Sequence, residues 1–185
     1  MDLVEFGWLV PLYCALGALF SLPWALGQLK GQKVAAFGGL AFTTLGLVHA
    51  SLILPQVLSG AGGVHQIPWL DFGFLQIELS ALINPLSAGM LVLVSAVSVL
   101  VQIYSLGYMD HEPALARYYG LINFFTMAML GLVISNNLLL MYGFWELMGL
   151  ASYLLVGFWW SKPAATAAAK KAFLTTRIGD FLLLV

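Results

Sequence analysis

The feature that most constrains this chain is an apolar run at residues 137–160 that contains one charged residue, Glu146. About 20 apolar residues suffice to cross a bilayer as a helix, at ~1.5 Å rise per residue. Glu146 would then lie roughly 14 Å from Asn137, near the middle of the hydrocarbon. A lone carboxylate there costs ~2.5–3.5 kcal/mol on insertion scales, and such residues usually have a function. The run predicts a transmembrane helix with a functional Glu146; a protonated, hydrogen-bonded core residue is the alternative.

Small and polar residues share one face of this predicted helix. Gly143, Glu146, Gly149, Tyr153 and Gly157 recur at intervals of three or four residues. Small residues allow a neighbouring helix to approach closely, so this face is suited to pack around a hydrated site. The opposite face carries Leu, Met, Val and Phe, which suit contact with lipid or with neighbouring subunits.

The composition of the whole chain agrees with a membrane location. The 185 residues are 62% hydrophobic and 8% charged, whereas soluble domains are about 25% charged. The net charge is −1 and no basic patch is present, which argues against a nucleic-acid partner. The single cysteine, Cys14, cannot form an internal disulfide, and no Cys/His cluster has metal-site spacing. We therefore expect no cofactor and no electron chemistry in this chain.

The hydropathy pattern predicts an all-α integral membrane protein with about six transmembrane helices. Glycines and Pro68 interrupt the helical pattern within residues 59–80, and the segment IPWLDFGFLQIEL alternates around Asp71-Phe72-Gly73. This pattern predicts a short β-hairpin between the second and third helices. The predicted spans are residues 3–26, 34–58, 81–108, 114–134, 137–160 and 164–185.

The basic residues predict the orientation of these spans. The connections at residues 59–80 and 135–137 contain no Lys or Arg. Basic residues cluster in cytoplasmic connections, so those two connections are expected outside and both chain termini with them. The basic residues on the inside connections and inside helix ends are Lys30, Lys33, Arg117, Lys162, Lys170 and Lys171.

Three charged residues of the sixth predicted helix are further site candidates. Arg177 and Asp180 lie roughly 20 and 24 Å from Ala164 and are three residues apart, so they can pair along one face. They would form either a self-neutralising structural pair or a station on a charge pathway. Lys171 either snorkels to the inner surface or points inward on the same polar track. His49 in the second helix is either a satisfied core residue or a proton relay.

Four motifs carry a resemblance to a known family. They are YSLGYM at 104–109, ARYYGLINFF at 116–125, NNLLLMYGFWELMGLASYLLVGFW at 136–159 and KAFLTTRIGDF at 171–181. The chain resembles the largest antiporter-like subunit of respiratory complex I and its cyanobacterial and chloroplast counterparts. It is also similar to the large Mrp antiporter subunit. The first span and QIYSLGYM look most like the cyanobacterial photosynthetic complex, including its CO2-uptake variants.

The resemblance implies a proton-translocating membrane subunit of a complex I-type quinone oxidoreductase. Quinone, iron–sulfur clusters and flavin or ferredoxin would belong to partner subunits, and this chain would contact other membrane subunits, lipid and protons. It would reside in a bacterial inner membrane or in a cyanobacterial or chloroplast thylakoid. Residues 1–80 would form an N-terminal two-helix segment with the outer hairpin, and residues 81–185 would begin the proton-channel domain. Glu146 corresponds to the channel glutamate of the fifth helix, and Arg177 and Asp180 match the TR-x-GD motif.

The sequence departs from the family pattern in two ways. Members have about a dozen or more spans, with a seventh-helix lysine that pairs with the glutamate, and this sequence stops after the sixth. We therefore expect it to be part of a longer protein and unable to pump alone. Asn84 stands where many relatives have Asp. Two other functions stay open: a subunit of an Mrp-type cation/proton antiporter, and a structural or assembly piece without transport.

Overall fold

The computed structural model describes residues 3–71 and 76–184. It contains six α-helices and one two-stranded antiparallel hairpin, as the sequence predicts. The predicted turn residues Phe72 and Gly73 lie outside the described residues. After a 3-10 turn at Leu3–Phe6 the elements are α1 Leu9–Ala25, α2 Gln32–Leu58, β1 Gly63–Asp71, β2 Gln76–Ile83, α3 Pro85–Tyr108, α4 Leu115–Ile134, α5 Leu138–Val156 and α6 Pro163–Leu184.

Five helical segments of the described chain are long and apolar enough to cross a membrane. They comprise α1 with its preceding turn, and α2 to α5. Helix α6 is also long, but its Lys170, Lys171, Arg177 and Asp180 make it too polar to qualify by composition. The chain is a multi-pass membrane protein, and the passage of α6 through the bilayer remains a prediction.

The hairpin defines one end of the helix bundle. The other end is defined by contacts that join the start of α2, the α3–α4 connection, the start of α4 and the residues just after α5. Lys33 Nζ lies 2.6 Å from Asp110 Oδ1, and the Gln32 side chain accepts the Ala116 N–H at 2.9 Å. Arg117 donates to the carbonyl of Phe158 at 2.5 Å. Following the predicted orientation, the hairpin end is called the outer end, and the end with these contacts the inner end.

Helices α1, α2 and α4 pack closely around the side chain of Asn123. Its Oδ1 accepts from Thr43 at 2.6 Å and its Nδ2 donates to the carbonyl of Tyr119 at 2.9 Å. A Cβ at Gly17 or at Gly39 would lie 2.8 or 2.7 Å from this amide. The two glycines therefore leave the space that the buried amide fills, which is how small residues promote helix packing in membranes.

A buried polar stripe on α3 extends this network. Ser95, Ser98, Gln102 and Ser105 follow at intervals of three or four residues and are all buried. Gln102 Nε2 donates to Thr43 at 2.8 Å, and the hydroxyls of Ser98 and Thr126 are 2.7 Å apart. Because apolar packing against lipid gains little, these bonds help to specify how α2, α3 and α4 associate.

The third helix begins later than the sequence predicted. The predicted span starts at residue 81, but β2 continues to Ile83 and α3 begins at Pro85. Asn84 accepts the Ser87 N–H at 2.8 Å, and the Ser87 hydroxyl accepts the Asn84 N–H at 2.8 Å. This capping box, followed by proline at the first helical position, fixes the start. Residues 81–83 are apolar, so hydropathy alone could not separate strand from helix.

Candidate functional site

Helices α5 and α6 are sequential neighbours, and their contact brings Glu146 and Arg177 together. Asn137 caps the start of α5 by accepting the Leu140 N–H at 2.7 Å. Arg177 Nη1 on α6 forms an ion pair with Glu146 Oε2, and its Nη2 lies 3.5 Å from the Glu146 carbonyl oxygen. The guanidinium also lies over the Phe173 ring, 4.6 Å from its centre. The predicted site residues Glu146 and Arg177 are therefore in direct contact.

The expected pairing of Arg177 with Asp180 is wrong in this structure. Arg177 pairs with Glu146, whereas Asp180 Oδ1 accepts a hydrogen bond from Trp145 Nε1 at 2.9 Å. A spacing of three residues permits a pair along one helix, but α5 offers each side chain a partner of its own. Two contacts between helices thus replace the pair within α6.

The site is partly shielded from solvent. The Glu146 and Arg177 side chains are 19% and 33% exposed, and Asp180 is 8% exposed. Glu146 Oε1 is buried without a hydrogen-bond partner in the part of the chain that the structure describes. A cavity of about 410 Å³ beside the pair is lined by Trp145, Met148, Gly149, Ser152, Tyr153, Ala172, Phe173, Thr176, Gly179 and Asp180.

The glycines of the α5 face do not all serve close packing. A Cβ at Gly157 would lie 3.3 Å from Ala169 of α6, which is a close helix contact. A Cβ at Gly143 or Gly149 would meet no described atom within 4 Å. Both instead border cavities, so of these three glycines only Gly157 serves close helix packing.

Lys171 does not join the site. It is exposed on α6, and six residues separate it from Arg177. Six residues are one and two-thirds helical turns, so the two side chains leave the helix on different sides. The structure therefore groups Glu146, Arg177 and Asp180 and leaves Lys171 apart. The place of Lys171 on a polar track remains a prediction.

The sequence alone does not single out Trp145, because it is one of several aromatic residues in the apolar run at 137–160. An indole N–H in an apolar helix needs an acceptor, and this need was the available signal. His49 is buried edge-on to Tyr13, with ring centres 5.8 Å apart. Neither of its nitrogens has a hydrogen bond of good geometry among the described residues, and both expected roles, core residue and proton relay, remain predictions.

The outer end of α5 is fastened to the hairpin. Asn137 Nδ2 donates to the carbonyl of Glu78 at 2.7 Å, and the Asn136 N–H donates to the carbonyl of Ser80 at 3.1 Å. Strand β2 therefore bonds directly to the residues that start the helix of Glu146.

These features define a multi-pass helical membrane protein with a shielded ion pair between two adjacent helices. Two family models match the sequence. "NADH-Ubiquinone oxidoreductase (complex I), chain 5 N-terminus" matches residues 69–119, and "NADH:quinone oxidoreductase/Mrp antiporter, TM" matches residues 135–185. With the relatives below, these matches show that the chain belongs to the antiporter-like chain 5 family of complex I-type NAD(P)H-quinone oxidoreductases.

Named relatives include chromatophore and chloroplast proteins. The chain is 40% identical over 98% of its length to NAD(P)H-quinone oxidoreductase subunit 5 of the Paulinella chromatophora chromatophore. It is also 40% identical, over 99% of its length, to NAD(P)H-quinone oxidoreductase chain 5 of a Synechocystis species. It spans 30% and 28% of these relatives. The expected family resemblance, including its cyanobacterial and chloroplast side, is confirmed.

Solved structures support the fold. The Mrp complex from Dietzia aligns with 95% of this chain and 18% of that chain, at a TM-score of 0.75 and 24% identity. The archaeal membrane-bound sulfane sulfur reductase aligns with 97% of this chain and 36% of that chain, at a TM-score of 0.79 and 18% identity. At these identities the likeness concerns the fold alone.

Proposed function

We propose that this chain is the portion of a proton-translocating subunit in which Glu146 accepts and releases a proton, within a complex I-type quinone oxidoreductase. The observation that carries the proposal is the shielded Glu146–Arg177 pair on α5 and α6. Relatives of 40% identity named NAD(P)H-quinone oxidoreductase subunit 5 support the choice of complex. Quinone, iron–sulfur clusters and flavin or ferredoxin would reside in partner subunits.

The chemistry of the pair is suited to loading and releasing a proton. Glu146 has a cation at Oε2, while Oε1 is buried and unpartnered among the described residues. A nearby cation favours the ionised form of a carboxylate, and burial without the cation favours the neutral form. Arginine keeps its charge throughout. Movement of the Arg177 guanidinium toward or away from Glu146 would therefore release or load the proton.

Asp180 supplies the next polar group along this route in the proposal. It lines the cavity beside Glu146 and is held by Trp145. Residues 81–185 would begin the proton-channel domain, and the segment 1–80 would support it, since α1 packs against α4. The other membrane subunits of the complex would cover the faces of α5 and α6 that remain exposed.

The test is Glu146→Gln in the complete, assembled protein. The amide keeps the size and hydrogen bonding of the side chain but cannot titrate, and it is easier to bury than a carboxylate. Assembly should persist while proton uptake into vesicles, normalised to assembled complex, falls roughly 100-fold. Glu146→Asp should retain part of the activity, because the carboxylate is kept and withdrawn by one methylene.

Glu112→Gln is the matched control for this test. Glu112 accepts from Trp159 at 3.1 Å in an exposed inner-end contact, away from the pair. Its loss should leave proton uptake unchanged. Pumping at the wild-type rate by an assembled Glu146→Gln complex would refute the proposed role of Glu146.

A second candidate function is cation/proton antiport within an Mrp-type complex. The second family model names the Mrp antiporter as well as the quinone oxidoreductase, which favours keeping this candidate. The two differ in their partners. Co-purification with peripheral subunits that carry iron–sulfur clusters would support the oxidoreductase, and co-purification with small hydrophobic antiporter subunits would support the antiporter. Assembly without transport in either setting would support a structural role.

A further inference from the structure

We infer that Trp145 is a positioning residue: its indole N–H holds Asp180 so that the Arg177 guanidinium pairs with Glu146. This inference rests on the function proposed above for Glu146. It assigns a role in the proton site to a residue whose side-chain hydrogen bond goes to Asp180 and not to the Glu146–Arg177 pair.

The inference starts from two contacts between α5 and α6, which involve four side chains. Trp145 and Glu146 are consecutive on α5, and Arg177 and Asp180 are three residues apart on α6. Trp145 Nε1 lies 2.9 Å from Asp180 Oδ1, and Arg177 pairs with Glu146. Trp145 and Glu146 therefore each contact one charged residue of α6.

Asp180 can compete with Glu146 for the guanidinium of Arg177. Residues three apart on a helix are neighbours, and opposite charges at this spacing attract. Asp180 is also the most buried of the three charged groups, at 8% exposure. A buried carboxylate must find a hydrogen-bond donor, because an unpaired buried charge is costly. The Trp145 N–H is the donor that Asp180 has in this structure, and Arg177, three residues away on α6, is its neighbouring cation.

The indole satisfies Asp180 without neutralising it. Its N–H can only donate, and it carries no charge. It therefore provides the donor that Asp180 needs while Arg177 remains with Glu146. If the N–H is removed, Asp180 keeps its charge and its burial but loses its donor. Arg177 is the neighbouring cation on α6 and is attracted to the unpaired carboxylate, so Glu146 loses its cation.

The first experiment is Trp145→Phe in the complete, assembled complex. Phenylalanine keeps an aromatic ring in the cavity wall and removes the N–H. Proton uptake in vesicles, normalised to assembled complex, should fall about tenfold, the factor that follows from losing a hydrogen bond to a charged group. Trp159→Phe is the matched control, since Trp159 also donates to a carboxylate, Glu112, at the exposed inner end. It should pump at the wild-type rate.

The second experiment separates the N–H from the bulk of the ring. Asp180→Asn removes the competing charge, so adding Trp145→Phe to it should cause no further loss of pumping. If Trp145 only fills space, the two losses should instead multiply. Independent losses would overturn the inference.

A structure of the Trp145→Phe complex gives a readout that does not depend on pumping. The guanidinium of Arg177 should move from Glu146 to Asp180. If it remains on Glu146, or if Trp145→Phe pumps normally while Glu146→Gln does not, the inference fails and the proposed function stands. If Glu146→Gln itself pumps normally, the proposed function fails.

Discussion

Lys33 and Asp110 form an ion pair at the inner end whose strength depends on pH. The hydrogen bond from Lys33, and then its charge, hold the pKa of the Asp110 carboxyl below its ordinary value of 3.8. Because the folded pKa is depressed, the pair contributes its full stability above that ordinary value. The contribution decreases below that value and is lost as the pH falls through the depressed pKa. Both side chains are exposed, so the contribution is small and is screened by salt.

Asp110→Asn should therefore destabilise the protein slightly at pH 7 and less at pH 2.5. The amide cannot ionise, so it resembles the protonated carboxyl that the wild type carries in acid. The measurement is the thermal unfolding midpoint of wild type and variant in detergent at several pH values. High salt should reduce the difference at pH 7. An equal difference at both pH values would mean that the charge of Asp110 is not what stabilises the loop.

Single residues also show how much of the candidate site could be predicted from the sequence. The depth of Glu146 in the membrane follows from its place in an apolar run, and a functional role for its carboxylate is predicted from that depth alone. The partner of Arg177 could not, because a spacing of three residues fits a pair within α6 as well as a contact with α5. Which occurs depends on how closely the two helices approach and on what α5 presents, and Trp145 gave only an indirect signal.

At the scale of elements, the hairpin and α5 behave as one unit. Asn137 uses its oxygen to cap α5 and its nitrogen to hold the Glu78 carbonyl of β2. Displacement of β2 would thus pull directly on the start of the helix that carries Glu146. Asn84 caps α3 with its oxygen in the same way.

Asn137→Asp should free β2 without breaking the helix cap. Aspartate still accepts the Leu140 N–H and suits the positive end of the helix dipole, but it has no donor for the Glu78 carbonyl. Hydrogen exchange across β2 should therefore quicken by about tenfold, corresponding to one lost hydrogen bond. Asn84→Asp is the control, and it should leave exchange in β2 unchanged. Equal protection of β2 in both variants would show that Asn137 serves as a cap only.

Elements were easier to predict than their boundaries. Alternation around Asp71 indicated the hairpin, and the apolar runs indicated the helices. The end of β2 at Ile83 could not be predicted from the sequence, since the apolar residues 81–83 fit a strand and a helix equally. On α3, the recurrence of Ser95, Ser98, Gln102 and Ser105 carried a usable signal for a buried polar stripe, and its partners Thr43 and Thr126 required the packed bundle.

At the scale of the whole molecule, the inner and outer ends differ in their basic residues. Lys33 pairs with Asp110, and Arg117 bonds the end of α5, both at the inner end. Arg117 also stacks over the Phe158 ring at 4.7 Å. The outer connections at residues 59–80 and 135–137 carry no basic residue. This distribution predicts both termini outside.

Single cysteines test the predicted orientation, in a background with Cys14 replaced. Lys30→Cys lies in the inner connection between α1 and α2, and Gly62→Cys precedes the hairpin. An impermeant thiol reagent applied to right-side-out vesicles should label position 62 and not position 30. Inverted vesicles should give the opposite result. Labelling of both positions from one side would refute the orientation.

The packing of α1 against α4 sets a condition on biosynthesis. Roughly 90 residues of chain separate the end of α1 from the start of α4. At ~5–20 residues per second, the ribosome needs about 5–18 s to supply them. Until then Gly17 and Ser21 lack the residues of α4 that they contact in the finished bundle. The first helix must wait in the insertion machinery or in lipid, with its packing surface open, until Asn123 arrives.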